Sequence, residues 1–343
     1  MTEQDLTISA EPILKRAGLK GPFQLISLKG GANNQVFEAR GVNGSVILKH
    51  YFKHAQDKRD RLGTEFGFCT FAWSQGLRCV ARPLLMDTAL RIALYEFVQG
   101  SPLKPGDVHE TDIEQAAHFF TALNAHRDHP DAAALPMASE ACFSIPEHLH
   151  LVAGRVQHLE MLMGGSSIDG KASDFVQTEL KPAWQRVSTF VRAKTSPDAA
   201  EPLPQTDRRL SPSDFGFHNA LRAADGSLRF FDFEYAGWDD PAKTACDFFS
   251  QVAVPAPMDF LDYFAGEIVR DQRRPVVARA RIRLLLPIYQ LKWCCIILND
   301  FLPTDAARRQ FALAGNPEDR KRAQLEKAQQ LLNRLAEPGA QNR

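Results

Sequence analysis

Net charge is the first thing this chain does without: 41 Lys and Arg are offset by 41 Asp and Glu over 343 residues. With no field of one sign, there is no electrostatic case for nucleic acid or an anionic membrane as partner. Uninterrupted apolar runs are missing too. The most apolar stretch, Ile282 to Leu298, is broken by Arg283, Pro287 and Lys292, which marks a core helix rather than a membrane span. Cysteine is sparse, and the six present (Cys69, Cys79, Cys142, Cys246, Cys294 and Cys295) have no metal-ligand spacing. Together with a polar N-terminus lacking a signal-peptide pattern, they read as buried, reduced thiols of a cytoplasmic protein. Ten histidines are scattered without zinc-like company, and there is no internal repeat. What remains is an ordinary soluble composition, 44% apolar and 24% charged, on a chain long for one compact domain. Two lobes are expected, and nothing in the pattern specifies an oligomeric state.

Residues 1–20 read as a polar tail and a short helix. From Phe23 the pattern turns to short strands: Phe23 to Leu28, Gln35 to Ala39 and Ser45 to His50. Between the first two lies Lys29-Gly30-Gly31-Ala32-Asn33-Asn34. A plain hairpin turn accounts for that loop, although glycine N–H groups can also approach phosphate oxygens closely. Lys49 closes the aliphatic run Val46-Ile47-Leu48, so it stands on a buried strand and either snorkels to water or has an anionic partner. Glu65 is the candidate partner. It lies on a helix expected from Ala55 to Gln75, at the border of an inward stripe of Leu62, Phe66, Cys69 and Trp73. Two more strands, Val80 to Met86 and Leu90 to Phe97, lead to the Pro/Gly-rich piece Gly100 to Gly106, the clearest domain boundary in the chain.

Helices dominate thereafter. One runs from Thr111, a plausible N-cap, to Ala125, and about three more occupy residues 130–210, with a polar joint at Ala172-Ser173-Asp174. A Pro-rich loop is expected from Ser196 to Arg209, and further helices near Asp259–Arg270, Val277–Leu302 and Pro317–Leu335. Between them lies the most informative segment, Ser211 to Asp247. Asp214 and Asn219 stand five apart in a Gly-containing loop. Asp225-Gly226 then signals a tight hairpin whose return strand, Ser227 to Phe231, delivers Asp232 beside Asn219. Two carboxylates and an amide oxygen converging at one end of a hairpin are hard ligands that suit Mg²⁺. An ordinary surface hairpin would explain Asp214 and Asn219, but an acid directly after Phe230-Phe231 calls for a further reason.

In order, the chain presents Gly30-Gly31, Lys49, Glu65, a linker, Asp214-x4-Asn219, Asp232-Phe233-Glu234 and Trp238-Asp239-Asp240-Pro241 leading to Asp247. This resembles the protein-kinase-like superfamily, and within it the aminoglycoside phosphotransferase and choline kinase family, from about Phe23 to Trp293. There is no Ala-Pro-Glu activation segment of a protein-substrate kinase. The resemblance implies an α+β fold with a small antiparallel-sheet N-lobe and a larger helical C-lobe. Residues 1–98 would be the nucleotide-binding lobe, 99–107 the hinge, and 108–343 the helical lobe carrying the catalytic loop and substrate site. It implies ATP and Mg²⁺ as cofactors and a small-molecule hydroxyl as substrate: a sugar, an amino alcohol or an aminoglycoside-like compound. Gly30, Gly31, Lys49, Glu65, Glu96 and Val98 would bind nucleotide. Asp214 would accept the hydroxyl proton, Asn219 and Asp232 would hold the metal, and Asp247 would anchor the catalytic loop. One departure stands out. Pro212-Ser213 replaces the His-Gly or similar pair that usually precedes the catalytic Asp, with His218 as the nearest substitute. A nucleotide-binding pseudokinase with a regulatory role is the alternative that this departure raises.

Overall fold

Alternation along the strands sorts the first lobe's apolar residues onto two faces. The computed structural model describes residues 3–28, 34–52, 59–162, 165–302 and 316–335. Helix α1 (Glu3–Arg16) precedes β1 (Gln24–Ser27), β2 (Gln35–Gly41), β3 (Gly44–His50), α2 (Arg61–Ser74), β4 (Pro83–Asp87) and β5 (Ile92–Glu96). The strands make one antiparallel sheet in the order β1-β2-β3-β5-β4. Because successive side chains point to opposite faces, Val46, Leu48, Ile92 and Leu94 pack on Leu6, Ala10, Ile13 and Leu14 of α1. Lys49 and Ala93, which are register partners, therefore face the other way, toward α2. The N-terminal helix is thus a full amphipathic element, longer than the short one expected. The buried face of α2 also differs from expectation. It runs through Arg61, Leu62, Glu65, Phe68, Cys69 and Ala72, which puts Glu65 in its centre, while Phe66 and Trp73 are only half-buried.

The chain leaves this lobe through residues 97–100 and adds β6 (Ser101–Pro102) to the edge of a hairpin formed by β8 (Ala220–Arg222) and β9 (Leu228–Phe230). The turn between β8 and β9 is the expected one at Asp225-Gly226, where Gly226 takes a positive φ of 81°. The second lobe is helical: α3 (Glu110–Ala125), α4 (Pro130–Ala133), α5 (Ile145–Glu160), α6 (Ser167–Phe175), α7 (Lys181–Lys194), α8 (Pro197–Ala200), α9 (Pro241–Ser250), α10 (Leu261–Val269), α11 (Pro275–Ile297) and α12 (Pro317–Asn333). The polar joint expected at Ala172-Ser173-Asp174 is helical instead. A π-helical turn, Val176–Leu180, joins α6 to α7 without a break. Pro182 has no N–H to offer, and the ladder slips to wider bonds just before it, Lys181 N–H reaching Val176 O. Helix α11 is long and apolar enough to cross a membrane by length and composition. Here it is the core of the lobe, with Ile282, Leu285, Ile288 and Leu291 buried.

A two-stranded ladder of β7 (Arg209–Ser211) and β10 (Gly237–Asp239) frames the segment that carries Asp214, Asn219 and Asp232. Gly237 has φ 155°, and a Cβ there would lie 2.3 Å from Pro136 O and 2.6 Å from Ala138 N. Gly237→Ala should therefore destabilise by about 3 kcal/mol, since neither backbone can yield. Gly154→Ala in α5, which meets nothing within 4 Å, should instead stabilise by about 0.5–1 kcal/mol through helix propensity. Equilibrium denaturation of both variants tests the pair.

Candidate active site

Period-2 geometry sends the Lys49 ammonium into the gap between α2 and the β8–β9 hairpin, where carboxylates receive it from both sides. Its Nζ lies 2.6 Å from Glu65 Oε2 and also hydrogen-bonds Asp232. Only 7% of the Lys49 side chain and 5% of the Glu65 side chain is exposed, against 27% for Asp232. Glu65 accepts two further bonds, from Tyr51 OH at 2.8 Å and from Phe233 N–H at 3.3 Å. Burial alone would lower the Lys49 pKa, but Asp232, Glu65 and Glu234 more than reverse this and hold it charged. Asp232 moves the other way. Burial raises its pKa against the pull of Lys49, and the neighbouring Glu234 and Glu65 add to the rise, which reaches about 7.

Asp232 has a positive φ of 68°, a conformation that turns the chain sharply as it leaves β9. The next two residues then latch onto the first lobe. Phe233 packs on Phe68 of α2 with ring centres 4.9 Å apart, and Glu234 accepts from Asn34 at 2.5 Å and Arg61 at 3.0 Å. Arg61, Asn34 and Tyr51 were missed in the sequence. Tyr51 carried a usable signal, being two residues beyond Lys49 and hence on the same face of an extended chain.

The loop after β7 presents Asp214 at the cleft, its side chain 36% exposed. Phe215 and Phe217 are driven into the core on either side, and Ser213 takes φ 65° to make the bend. Asn219 donates from Nδ2 to Asp214 O at 2.9 Å, which commits its amide nitrogen and leaves the oxygen for another ligand. Its own backbone carbonyl accepts from Phe231 N–H at 3.1 Å, so Asn219 and Asp232 are held side by side as expected. His218 Nε2 stands 3.3 Å from Asp214 Oδ1. Burial would raise the Asp214 pKa, but this imidazole, with Lys292 and Asn219, keeps it below the usual value. The ring fits because residue 216 is glycine, where a Cβ would come 2.8 Å from His218 Nδ1.

Other supports of the loop come from unexpected residues. Thr244 Oγ1 donates to Ser211 Oγ at 2.9 Å, Ser213 N–H donates to the same oxygen at 3.0 Å, and Asn124 clamps the backbone of Leu210. Asp247, expected to anchor this loop, instead takes two bonds of 2.9 Å from Lys292 and one of 2.9 Å from Trp293. At the end of β5, the Glu96 N–H is spent on Arg82 O at 2.8 Å. Val98, by contrast, has no hydrogen bond to its backbone among the described residues. Gly30 and Gly31 lie outside the described residues.

No group of three His, Cys, Asp or Glu side chains suited to a metal occurs among the described residues. Asn219 and Asp232 still fit Mg²⁺, which needs only one or two protein oxygens when phosphates and water complete its shell. The geometry agrees: the Asn219 amide nitrogen is spent on Asp214 O, and the Phe231 N–H bond to Asn219 O holds Asn219 beside Asp232.

A two-lobed α+β chain with a buried lysine–glutamate pair, an Asp-x4-Asn loop and a hairpin aspartate belongs to the protein-kinase-like class. Within that class the phosphotransferase enzyme family (APH) model matches residues 24–285, and the chain belongs to this family. It is a small-molecule kinase. Solved structures agree on the fold. A choline/ethanolamine kinase family protein from Mesorhizobium loti matches with TM-score 0.58 and 17% identity, covering 95% of each chain. The choline kinase LicA of Streptococcus pneumoniae matches with TM-score 0.57 and 14% identity, covering 95% of this chain and 98% of that one. A spectinomycin phosphotransferase solved with ADP and spectinomycin matches with TM-score 0.57 and 13% identity, covering 95% and 99%. No curated protein matches the chain in sequence.

The Asp232 pKa carries a signed consequence. Its folded value of about 7 lies above the model-peptide range, so the folded protein holds a proton that the unfolded chain releases between about pH 4 and 7. Metal-free protein should gain stability as pH falls from about 8 to 5, and Asp232→Asn should lose that gain. Melting curves across this range, with chelator present, check it.

Proposed function

We propose that this enzyme transfers the γ-phosphoryl group of ATP to a hydroxyl of a small polar molecule, in the cytoplasm. The observation that carries the reading is Lys49, held between Glu65 of one lobe and Asp232 of the other. An ammonium so placed is aimed at phosphate oxygens, and it stays protonated because two carboxylates insist on it. In this reading Lys49 binds the α- and β-phosphates. The Gly30-Gly31 loop covers them, and the Glu96 carbonyl and Val98 backbone read the base. Residues 1–98 form the nucleotide lobe, 99–107 the hinge and 108–343 the lobe that holds the acceptor. Asn219 and Asp232 would hold Mg²⁺, which neutralises phosphate charge when bound. Asp214 orients the acceptor hydroxyl and takes its proton, a role for which a carboxylate kept ionised suffices because positioning supplies most of the catalysis. The ADP found with spectinomycin phosphotransferase supports the choice of nucleotide. The six cysteines are all free and five are buried, as a reducing compartment would keep them. A pseudokinase is not favoured, since the charged residues expected of an active site are all present and the described ones meet.

Asp214→Asn should lower turnover by about a thousandfold with the melting temperature unchanged, measured as ADP release with Mg²⁺ and an acceptor panel. Unchanged turnover would remove the assignment. His218→Ala should cost about tenfold in kcat with the KM for ATP unaltered, and His218→Gln, which keeps a donor toward Asp214, should recover most of it.

A further inference from the structure

Glu65 is held more firmly than an ion pair with Lys49 alone requires. Its Oε2 takes the Lys49 ammonium at 2.6 Å and the Tyr51 hydroxyl at 2.8 Å, and Tyr51 in turn meets the Tyr95 hydroxyl at 2.9 Å. The direction of this chain of hydroxyls follows from the protons available. A carboxylate accepts and each tyrosine has one O–H, so Tyr51 donates to Glu65 and Tyr95 donates to Tyr51. Both side chains are buried, so bulk water cannot stand in for either hydroxyl. Burial first, then the nearby Glu65, pushes both phenol pKa values well up and keeps the two protons in place. The sheet builds this arrangement. Lys49 and Tyr51 are two residues apart on one extended segment, which the Tyr51 N–H bond to Arg91 O continues past β3. Tyr95 lies two residues from Ala93, the register partner of Lys49, so all four share the face toward α2. Ala93 presents only a methyl there, which leaves room for the two phenols to meet.

We infer that Tyr51 is a positioning residue for phosphoryl transfer: its hydroxyl, itself fixed by Tyr95, holds the Glu65 carboxylate where it aims Lys49 at the phosphates. Lys49 has two anchors in this structure, but in the proposed function Asp232 is also a ligand of Mg²⁺. Glu65 is the anchor with no second duty. Apart from Lys49 and Tyr51, the donor it has among the described residues is the Phe233 N–H, at 3.3 Å on the other oxygen. The Tyr51 ring centre also stands 5.2 Å from the Lys49 ammonium, so exchange for phenylalanine removes the hydrogen bond and keeps the ring. Tyr95 directly precedes Glu96, whose carbonyl reads the base in the proposed function. The chain of hydroxyls therefore joins the base end of the nucleotide site to its phosphate end. The inference rests on the phosphotransferase reading and adds two residues to it.

Calorimetric titration of the full chain in Mg²⁺, with ATP and with adenosine, which has no phosphates, tests this without an acceptor. Tyr51→Phe should weaken ATP about tenfold and leave adenosine within about twofold. Tyr95→Phe should weaken ATP about threefold, and the double variant should be no worse than Tyr51→Phe, because the outer hydroxyl then has nothing to hold. In a Glu65→Ala background, where the carboxylate is gone, Tyr51→Phe should change ATP affinity by less than about twofold. Full ATP affinity in Tyr51→Phe, an equal loss for adenosine, or an undiminished loss in the Glu65→Ala background overturns the positioning role while leaving the kinase intact. Should Tyr51→Phe not fold, Tyr95→Phe carries the same comparisons, and its failure to separate ATP from adenosine overturns the role equally. Wild-type protein that binds no ATP and turns over no acceptor removes the phosphotransferase reading and this inference with it.

Discussion

Lys49 is the residue on which the other placements depend. Its ammonium joins two carboxylates, one on α2 and one delivered 183 residues later by the β9 strand. Each has to be in register for the other to matter. A one-residue slip of β3 would turn Lys49 into the α1 core and Leu48 into the cleft. A buried ion pair of this kind is a poor source of stability, because desolvation offsets most of the Coulomb gain. The fold nevertheless surrounds it with Tyr51, Phe233 N–H and the Glu234–Arg61–Asn34 cluster. Expense of that kind, at the junction of two lobes, is explained by a ligand that needs both lobes at once.

The polar interior divides into two territories that differ in balance. Around Lys49 the acids crowd, and Asp232 is pushed toward protonation first by burial, with Glu234 and Glu65 adding to it against the pull of Lys49. Below Asp214 each acid has its own cation, and the pairs are short: 2.6 Å for Lys243–Asp239, 2.7 Å for Arg281–Asp240 and 2.9 Å for Lys292–Asp247. Local charge surplus is where a metal–phosphate complex can be received, since the ion substitutes for the missing positive charge. The same separation explains why net charge over the whole chain carries no information about either.

Much of this was legible because a few short-range rules fixed long-range geometry. The run Val46-Ile47-Leu48-Lys49 forced the lysine onto a defined face, and Asp225-Gly226 closed the hairpin. Other features had no local signature. The centre of the α2 face depends on what packs against it, and the stripe through Phe66 and Trp73 was equally good helical spacing. The joint at Ala172-Ser173-Asp174 looked like a break because Ser and Asp favour caps, yet neighbouring helices kept the chain helical through a π turn. The family resemblance implied that Asp247 lies near the loop, but its choice of Lys292 and Trp293 as partners is a tertiary fact.

The missing pair before Asp214 shows how such a loop can be braced by other means. Here the backbone is held by a hydroxyl relay, Thr244 to Ser211 with Ser213 N–H on the same oxygen, and Pro212 stiffens the step between them by fixing its own φ. An imidazole comes instead from His218, four residues after the aspartate, and meets the carboxylate itself. That exchange has a cost that can be located: His218 Nδ1 is buried without a hydrogen-bond partner among the described residues. Buried polar atoms are rarely left so. A ring held by one bond to Asp214 and by close packing on Gly216 has its orientation set by the Asp214 carboxylate, which ties the two side chains into one positioned unit.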